Sequence, residues 1–301
     1  MGHHAAVRID DGAPTFDLQS HSTCSDGALD PAAVVAAAAG AGVRLLALTD
    51  HDTVAGVSDA QAAAAELGIG LIPAVELSTV DVLGEDFHVL GYGIDHTDAA
   101  LAEQLEAWRG DRAARIDRMA DLLAGLGLPP DRSEIERRRS AGLPVGRPHL
   151  ATATIAANRE RLEADGLAEC SAFLEAYLCR NGAAYSRRTT PTVAEAIAAI
   201  HAAGGVAVWS HPFWDLARDE DVCSALERFS GAGLDGVEAF YTTHTAAQTR
   251  MLSDCAARLG LLTTGSADFH GPDHRSFSRF RAFELHGCEP RLGAIGSVAR
   301  A

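Results

Sequence analysis

The sequence predicts an α/β fold, a parallel sheet or barrel of seven strands that carries an all-helical insertion. Three observations lead there. Short apolar runs alternate with alanine-rich helical patterns on both sides of the middle of the chain, the order expected of parallel strands joined by crossover helices. The middle itself, residues 98–189, has helical periodicity and few strand signals. Histidines and acids recur at or near the ends of the apolar runs, where barrels and open α/β folds place their sites.

The expected strands are Thr15–Ser20, Arg44–Thr49, Gly70–Leu77, Phe87–Tyr92, Gly205–Ser210, Gly236–Tyr241 and Leu261–Ser266. The expected helices between them include Pro31–Ala41, Val57–Leu67, Thr192–Ala203, Val222–Gly231 and Ala246–Leu259. Asp30-Pro31 supplies an N-cap and a proline at the first helical position, and Gly40 sits where a C-cap belongs. Thr190-Pro191-Thr192 opens another helix and Gly204-Gly205 closes it. The link from Leu77 to Phe87 is too short for a crossover helix and implies a hairpin or an irregular turn. Within the middle stretch Leu101, Leu105, Trp108, Ile116, Met119, Leu122 and Leu123 recur at helical spacing, punctuated by Pro129-Pro130 and Gly142–Pro148. The barrel is therefore expected from residues 1–97 and 190–301, and the helical insertion from 98–189.

A chain of 301 residues, 47% of them hydrophobic, can build a sizeable core. The formal net charge of −16 argues against a broad basic face, so duplex DNA is not an expected partner, although a local basic pocket is compatible with it. The six cysteines, Cys24, Cys170, Cys179, Cys223, Cys255 and Cys288, form no CxxC pair, and the N-terminal residues lack the apolar segment of a secretory signal. Reduced thiols in a cytoplasmic protein are the expectation. Ala32–Ala39 is too short to span a bilayer, and no membrane partner is expected. His3 and His4 receive no role.

The chemistry lies at the strand ends. The first cluster runs from Asp17 to Gly27. Strand alternation points Asp17, Gln19 and His21 to one side, a costly arrangement in a buried strand unless something binds them. Asp50-His51-Asp52 follows an apolar run directly. Glu76 closes another run, and His88 lies inside Asp86–Leu90. His211 follows Val206–Trp209, Glu238 precedes His244, and Asp268 and His270 follow Leu261–Thr264. Taken alone, each of these reads at least as well as a helix cap, a surface group or a satisfied core residue. An ordinary barrel, however, needs no such group at nearly every strand end. Convergence on one rim would assemble the mixed imidazole and carboxylate ligands that zinc, manganese or iron sites use.

These residues resemble the PHP family, named for polymerase and histidinol phosphatase. The resemblance is carried, in order, by Asp17–Gly27, Thr49–Asp52, Pro73–Ser78, His88 with Gly91-Tyr92, His211-Pro212 and Asp268–Gly271, with Gly146–His149 in the insertion. It covers nearly the whole chain. It looks closest to the bacterial branch that removes the 3′-phosphate from nucleoside 3′,5′-bisphosphates and, in some members, trims short RNA from its 5′ end. It implies a distorted seven-stranded (β/α) barrel of PHP type, with the insertion covering the active site, and two or three divalent ions of manganese, zinc, iron or magnesium. One metal site would take His21, Glu76 and Asp268. A second would share Glu76 and add His88 and His211. A third would use Asp26, His51 and His270. Gln19 stands where the family's first motif usually has a histidine. Its amide oxygen is a poorer ligand for zinc or iron, so the first site binds its ion more weakly, prefers a harder ion or is empty.

The implied partner is a small phosphorylated substrate, a nucleotide or short single-stranded RNA. Metal-activated water would attack phosphorus, so no serine or cysteine nucleophile is required. His244 is the candidate proton donor to the leaving group, with a ligand-supporting or surface role as the alternatives. Arg147 and His149 match a family motif, and Arg180 sits where the family often has a basic residue. These three are the candidates for holding a second phosphate, a task that suits the planar guanidinium fork. Arg137-Arg138-Arg139 reads as a solvated face. Two other functions fit the same residues. One is a phosphatase for another monoester such as histidinol phosphate. The other is a degenerate metal-binding module, which only Gln19 favours.

Overall fold

The computed structural model describes residues 14–83, 85–141 and 145–300; His3, His4 and part of the expected break at 142–148 lie outside the described residues. The chain forms two compact units that divide at Gln104/Leu105 and Thr190/Pro191.

The first unit is built on seven strands: β1 (Phe16–Asp17), β2 (Leu45–Leu48), β3 (Gly70–Val80), β4 (Glu85–Tyr92), β5 (Val206–Trp209), β6 (Gly236–Tyr241) and β7 (Leu262–Ser266). Their order in the sheet follows the sequence. β1, β2 and β3 are mutually parallel, β4 is antiparallel to both neighbours, and β5, β6 and β7 are parallel. The Leu77–Phe87 link is a hairpin, with β3 running on to Val80 and a bulge at Thr79/Val80. The two edges of the sheet meet. Leu18 N donates to Gly265 O at 3.2 Å, His21 N to Phe269 O at 2.8 Å, and Ser20 bridges Phe269. The result is the distorted seven-stranded barrel expected from the motifs.

Helices α1 (Pro31–Gly40) and α2 (Val57–Leu67) follow β1 and β2. Helix α3 (Ala99–Gly125) starts in the first unit and continues into the second, which adds α4 (Arg132–Ser140), α5 (Arg147–Ala157), α6 (Arg159–Ala164), α7 (Cys170–Phe173) and a π-helical turn at Leu174–Leu178. In the first unit α8 (Val193–Ala202) precedes β5, α9 (Pro212–Asp215) and α10 (Asp219–Gly231) follow it, and α11 (Ala246–Leu259) follows β6. The starts are chemically fixed. Asp30 accepts from Ala33 N at 2.8 Å with Pro31 at the first position. Thr192 and Glu195 form a reciprocal capping box on α8, and Thr245 and Gln248 form one on α11.

Alternation along the strands sorts the core and aims the polar groups. Leu46 and Leu48 pack with Val34, Val35 and Ala38 of α1 and Ala60 and Ala64 of α2. Leu45 and Ala47 face the other way, into one cluster with Ile72, Ala74, Leu90, Tyr92 and Val208. The period of two that puts Ile72 and Ala74 inside puts Glu76 inside as well, and Leu90 brings His88 with it. Because β4 runs against its neighbours, a group in its first half lies level with their C-terminal ends.

The second unit has its own apolar core, including Ile116, Met119, Leu123, Leu150, Ile155, Leu162 and Phe173. Leu122, grouped with that stripe by spacing, is 44% exposed. Leu123 takes the inward position instead, and adjacent helical residues are about 100° apart. The expectation of six reduced thiols also needs correction. Cys223 of α10 and Cys255 of α11 are disulfide-bonded, whereas Cys24, Cys170, Cys179 and Cys288 are free. Packing of the two helices side by side brings together thiols 32 residues apart, a pairing with no local sequence signal. Among the described residues, no helix is long and apolar enough to cross a membrane.

Candidate metal centre

Glu76 is the hub of the rim. Its Oε2 lies 3.1 Å from His21 Nε2 and 3.5 Å from His51 Nδ1, and its Oε1 lies 2.8 Å from His88 Nδ1 and 3.3 Å from His211 Nε2. His21 Nε2 is also 3.1 Å from Asp268 Oδ1. Asp26 approaches His21, His51 and His270 at 3.6–3.7 Å. Three overlapping groups emerge: His21, Glu76 and Asp268; His51, Glu76 and His88; and His21, Asp26, His51 and His270. The first is the trio that the motifs imply. In the second, His51 stands where the motifs imply His211, which still reaches Glu76. In the third, His21 joins the implied trio.

Surrounding residues hold the donors in place. Asp50, next to His51, accepts from Ser22 N at 2.7 Å, Ser22 Oγ at 2.6 Å and Ser25 Oγ at 2.6 Å, which clamps the loop that carries Asp26. That loop turns at Gly27, where a Cβ would lie 2.2 Å from His21 O. Asp52 accepts from Ser78 N at 2.9 Å and ties the second rim loop to β3. Tyr241 donates its hydroxyl to Asp268 Oδ2 at 2.7 Å. Burial and the neighbouring Asp268 push this phenol well above 10, so it keeps its proton. The sequence assigned no individual role to Asp50, Asp52 or Tyr241; the signals were adjacency to strand ends and, for Asp50 and Asp52, their place in the Thr49–Asp52 motif. Asp17 turns away from the rim and accepts from Ala267 N and Arg281 N at 2.9 and 2.7 Å. The regular pairing of β1 ends at Asp17, so alternation does not carry through to Gln19 and His21.

Gln19 is fully buried. Its Nε2 donates to Glu76 Oε2 at 3.0 Å, and its Oε1 accepts from Ser210 Oγ at 3.0 Å and Ser266 Oγ at 3.3 Å. Asp52, His211 and Asp268 have φ of 53°, 29° and 55°, a left-handed region that non-glycine residues seldom enter. Such strain persists where surrounding structure fixes it, commonly at a ligand site.

The donor set fits divalent cations. Both ring nitrogens of His21, Nδ1 of His51, His88 and His211, and Asp268 Oδ1 are buried and make no well-aligned hydrogen bond in the protein, although carboxylate oxygens lie 2.8–3.5 Å from His21 Nε2, His51 Nδ1 and His88 Nδ1. Within each group the donor atoms lie within 4.8 Å of one another, close to the roughly 3–4 Å that bonds of about 2.1 Å to one ion impose. Burial works against charge on Glu76, yet His51 and His88 hold it well below the carboxylate range. Burial likewise opposes charge on Asp268, but His270 and His21 bring it down to about 2. Burial opposes charge on His21 too, and Asp268 and Glu76 outweigh it to hold the ring well above 6.5. Burial takes His51 down to about 4. Ionised carboxylates enclosed among imidazoles need positive charge, which a metal supplies by displacing the ring protons.

His244 is buried against Phe213 and Tyr241. Its Nδ1 lies 3.2 Å from Ala239 O, which places the ring proton there and leaves the lone pair on Nε2. Burial also lowers it to about 4. In this form the ring takes a proton or hydrogen bond rather than giving one. In the helical unit, Arg147 is the first residue of α5, His149 Nδ1 accepts from Gly146 N at 3.0 Å, and Arg180 is exposed beyond the π-helical turn.

Residues 17–137 match the PHP domain. The chain is 33% identical over 257 residues to a 5′-3′ exoribonuclease of Haemophilus influenzae, covering 85% of this chain and 90% of that protein. It is 32% identical over 262 residues to a 3′,5′-nucleoside bisphosphate phosphatase of Chromobacterium violaceum, covering 85% and 87%. A solved structure from Bifidobacterium adolescentis, assigned as a metal-dependent phosphoesterase, superposes with a TM-score of 0.74 at 27% identity, covering 94% of each chain. Fold, donor set and relatives together define a metal-dependent phosphoric ester hydrolase. The chain belongs to the PHP family, as its motifs imply.

Proposed function

We propose that this protein acts on nucleotides, removing the 3′-phosphate of nucleoside 3′,5′-bisphosphates and trimming short RNA from its 5′ end. The observation that carries the reading is the three-group donor cluster around Glu76, in a chain similar along most of its length to an exoribonuclease and a bisphosphate phosphatase. His21, Asp26, His51, Glu76, His88, His211, Asp268 and His270 would hold two or three divalent ions. Bound there, the ions would supply an acidified water and a positive clamp on the phosphoryl oxygens. The residues themselves orient the site. Tyr241 fixes the Asp268 carboxylate, while Asp50 and Asp52 brace the loops that carry Asp26 and His51. His244 serves as an acceptor of a proton or hydrogen bond, in keeping with its lone pair on Nε2. Arg147, His149 and Arg180 are assigned to the second phosphate of the substrate on the chemistry of their side chains.

The test is to count metals by mass spectrometry in purified protein and measure phosphate release. Adenosine 3′,5′-bisphosphate should exceed histidinol phosphate in kcat/KM with at least one of manganese, zinc, iron or magnesium. The reverse preference, or no turnover with any of the four, overturns the proposal. Arg147→Ala should raise KM for the bisphosphate far more than for a simple aryl phosphate. Equal losses on both substrates would remove Arg147 from phosphate binding.

A further inference from the structure

Gln19 occupies a position from which an imidazole would ligate metal, and its surroundings give the amide a different task. Three neighbours determine its orientation. Nε2 faces the Glu76 Oε2 carboxylate oxygen, and Oε1 faces the hydroxyls of Ser210 and Ser266. Flipping the amide would set its oxygen against an ionised carboxylate and lose the donor that Glu76 now receives. The oxygen is the only atom of a glutamine side chain with a lone pair available to a cation, because the nitrogen lone pair is delocalised into the carbonyl. Here that oxygen is turned toward the serines.

The serines are anchored in turn. Ser266 Oγ donates to Glu238 Oε1 at 2.6 Å, and the other oxygen of Glu238 accepts from His211 N at 2.9 Å. Each hydroxyl shares one proton between two acceptors: Ser210 Oγ lies 3.0 Å from Gln19 Oε1 and 3.3 Å from Glu238 Oε2, Ser266 Oγ lies 2.6 Å from Glu238 Oε1 and 3.3 Å from Gln19 Oε1, and Gln19 Nε2 donates to Glu76. Glu238 is fully buried and belongs to none of the donor groups. The chain of contacts therefore joins Glu76 on β3 to residues on or just beyond β1, β5, β6 and β7.

We infer that Gln19 is a positioning residue for Glu76 rather than a metal ligand, and that Ser210, Ser266 and Glu238 act through it. The inference rests on reading the rim as a metal centre. It holds that the ion count is set without Gln19, and that Gln19 governs how firmly the shared Glu76 oxygen is presented. Removing a partner that orients a metal ligand typically costs about 10–100-fold in metal affinity.

The test uses the whole protein, stripped with chelator and titrated with Mn²⁺. Ion number is read by mass spectrometry at saturation and affinity by calorimetry. The visible spectrum of the Co²⁺-loaded protein reports ligand geometry. Gln19→Leu should keep the wild-type number of ions at saturation, bind them ~10–100-fold more weakly and shift the Co²⁺ bands. Ser266→Ala should weaken Mn²⁺ in the same direction by less, although its hydroxyl touches no donor of the cluster. In the Gln19→Leu background it should add nothing further, the coupling expected of residues acting in series. One ion fewer in Gln19→Leu would make Gln19 a ligand and overturn the inference. Unchanged Mn²⁺ affinity in Ser266→Ala would also overturn it, and that variant decides the matter if Gln19→Leu does not fold. If the wild-type protein binds no Mn²⁺, Co²⁺ or Zn²⁺, the metal-centre reading itself fails, and the inference fails with it.

Discussion

In the helical unit the buried polar side chains among the described residues are Arg115, Thr154 and Arg188. Two of them reach main-chain oxygens: Arg115 Nε donates to Ser186 O and Thr154 Oγ to Leu150 O, each at 2.7 Å. In the barrel unit the buried polar set includes Gln19, His21, Glu76, His211, Glu238 and Asp268, and these face one another. A helix supplies carbonyls that a buried hydroxyl can use. The rim of the barrel instead gathers imidazoles and carboxylates against one another, with the donor atoms of each group within 4.8 Å. Burying polar groups without compensation costs several kcal/mol, so a cluster of this kind marks the place of a missing ligand.

The most severe way to test the contrast is to remove the hub. Glu76 belongs to two of the three donor groups and lies within 3.5 Å of four imidazoles. Glu76→Ala should therefore abolish metal at those two groups. The loss of activity should exceed the ~10–100-fold that follows from disturbing a ligand's support. Metal content and phosphate release check both points. Full metal occupancy in this variant would mean that the rim carboxylate is structural.

A smaller effect is expected one step from the donors. Tyr241→Phe keeps the ring and removes only the hydroxyl that Asp268 Oδ2 accepts from at 2.7 Å. It should lower metal affinity about 10-fold and leave the folded barrel intact. Calorimetric Mn²⁺ titration alongside a thermal melt separates the two. A drop in melting temperature with unchanged affinity would reassign Tyr241 to packing.

The same contrast explains what could be read from the sequence. His21, His51, Glu76, His211, Asp268 and His270 were legible because strand ends are recognisable from apolar runs, and parallel strands deliver their ends to one rim. His88 was legible only through the family motif, because its place on the rim depends on β4 running antiparallel, a tertiary fact. In the second donor group His51 joins Glu76 and His88 where the motifs imply His211, a difference that strand order does not reveal. The direction of the Gln19 amide, the clamp made by Asp50 and the Tyr241 hydroxyl are all set by residues far away in sequence. The Cys223–Cys255 bond is of the same kind, since nothing near either cysteine announces the other. In the helical unit a single period located much of the core; it failed at Leu122, beside the inward-facing Leu123, and at Trp108, which is half-buried.

The smallest expected effect lies at Arg137 in the helical unit, and it sharpens the comparison with Arg147 in the same unit. A run of three arginines, Arg137 to Arg139, looks at first like a better phosphate site than one arginine at the start of α5. Yet the Arg137 side chain is 71% exposed and paired with Glu134 one helical turn away, and Arg139 is paired with Asp117 and Glu136. Exposed pairs of this kind contribute little to stability, and Arg137 and Arg139 already have their anions. The run also occupies the last turn of α4, where positive charge complements the helix dipole. Arg137→Ala should therefore leave the melting temperature and both kcat and KM for adenosine 3′,5′-bisphosphate within error of wild type. A rise in KM matching that of Arg147→Ala would show that positive charge anywhere on the helical unit draws substrate in. Specific recognition by Arg147 would then give way to long-range attraction, which raising the salt concentration would abolish.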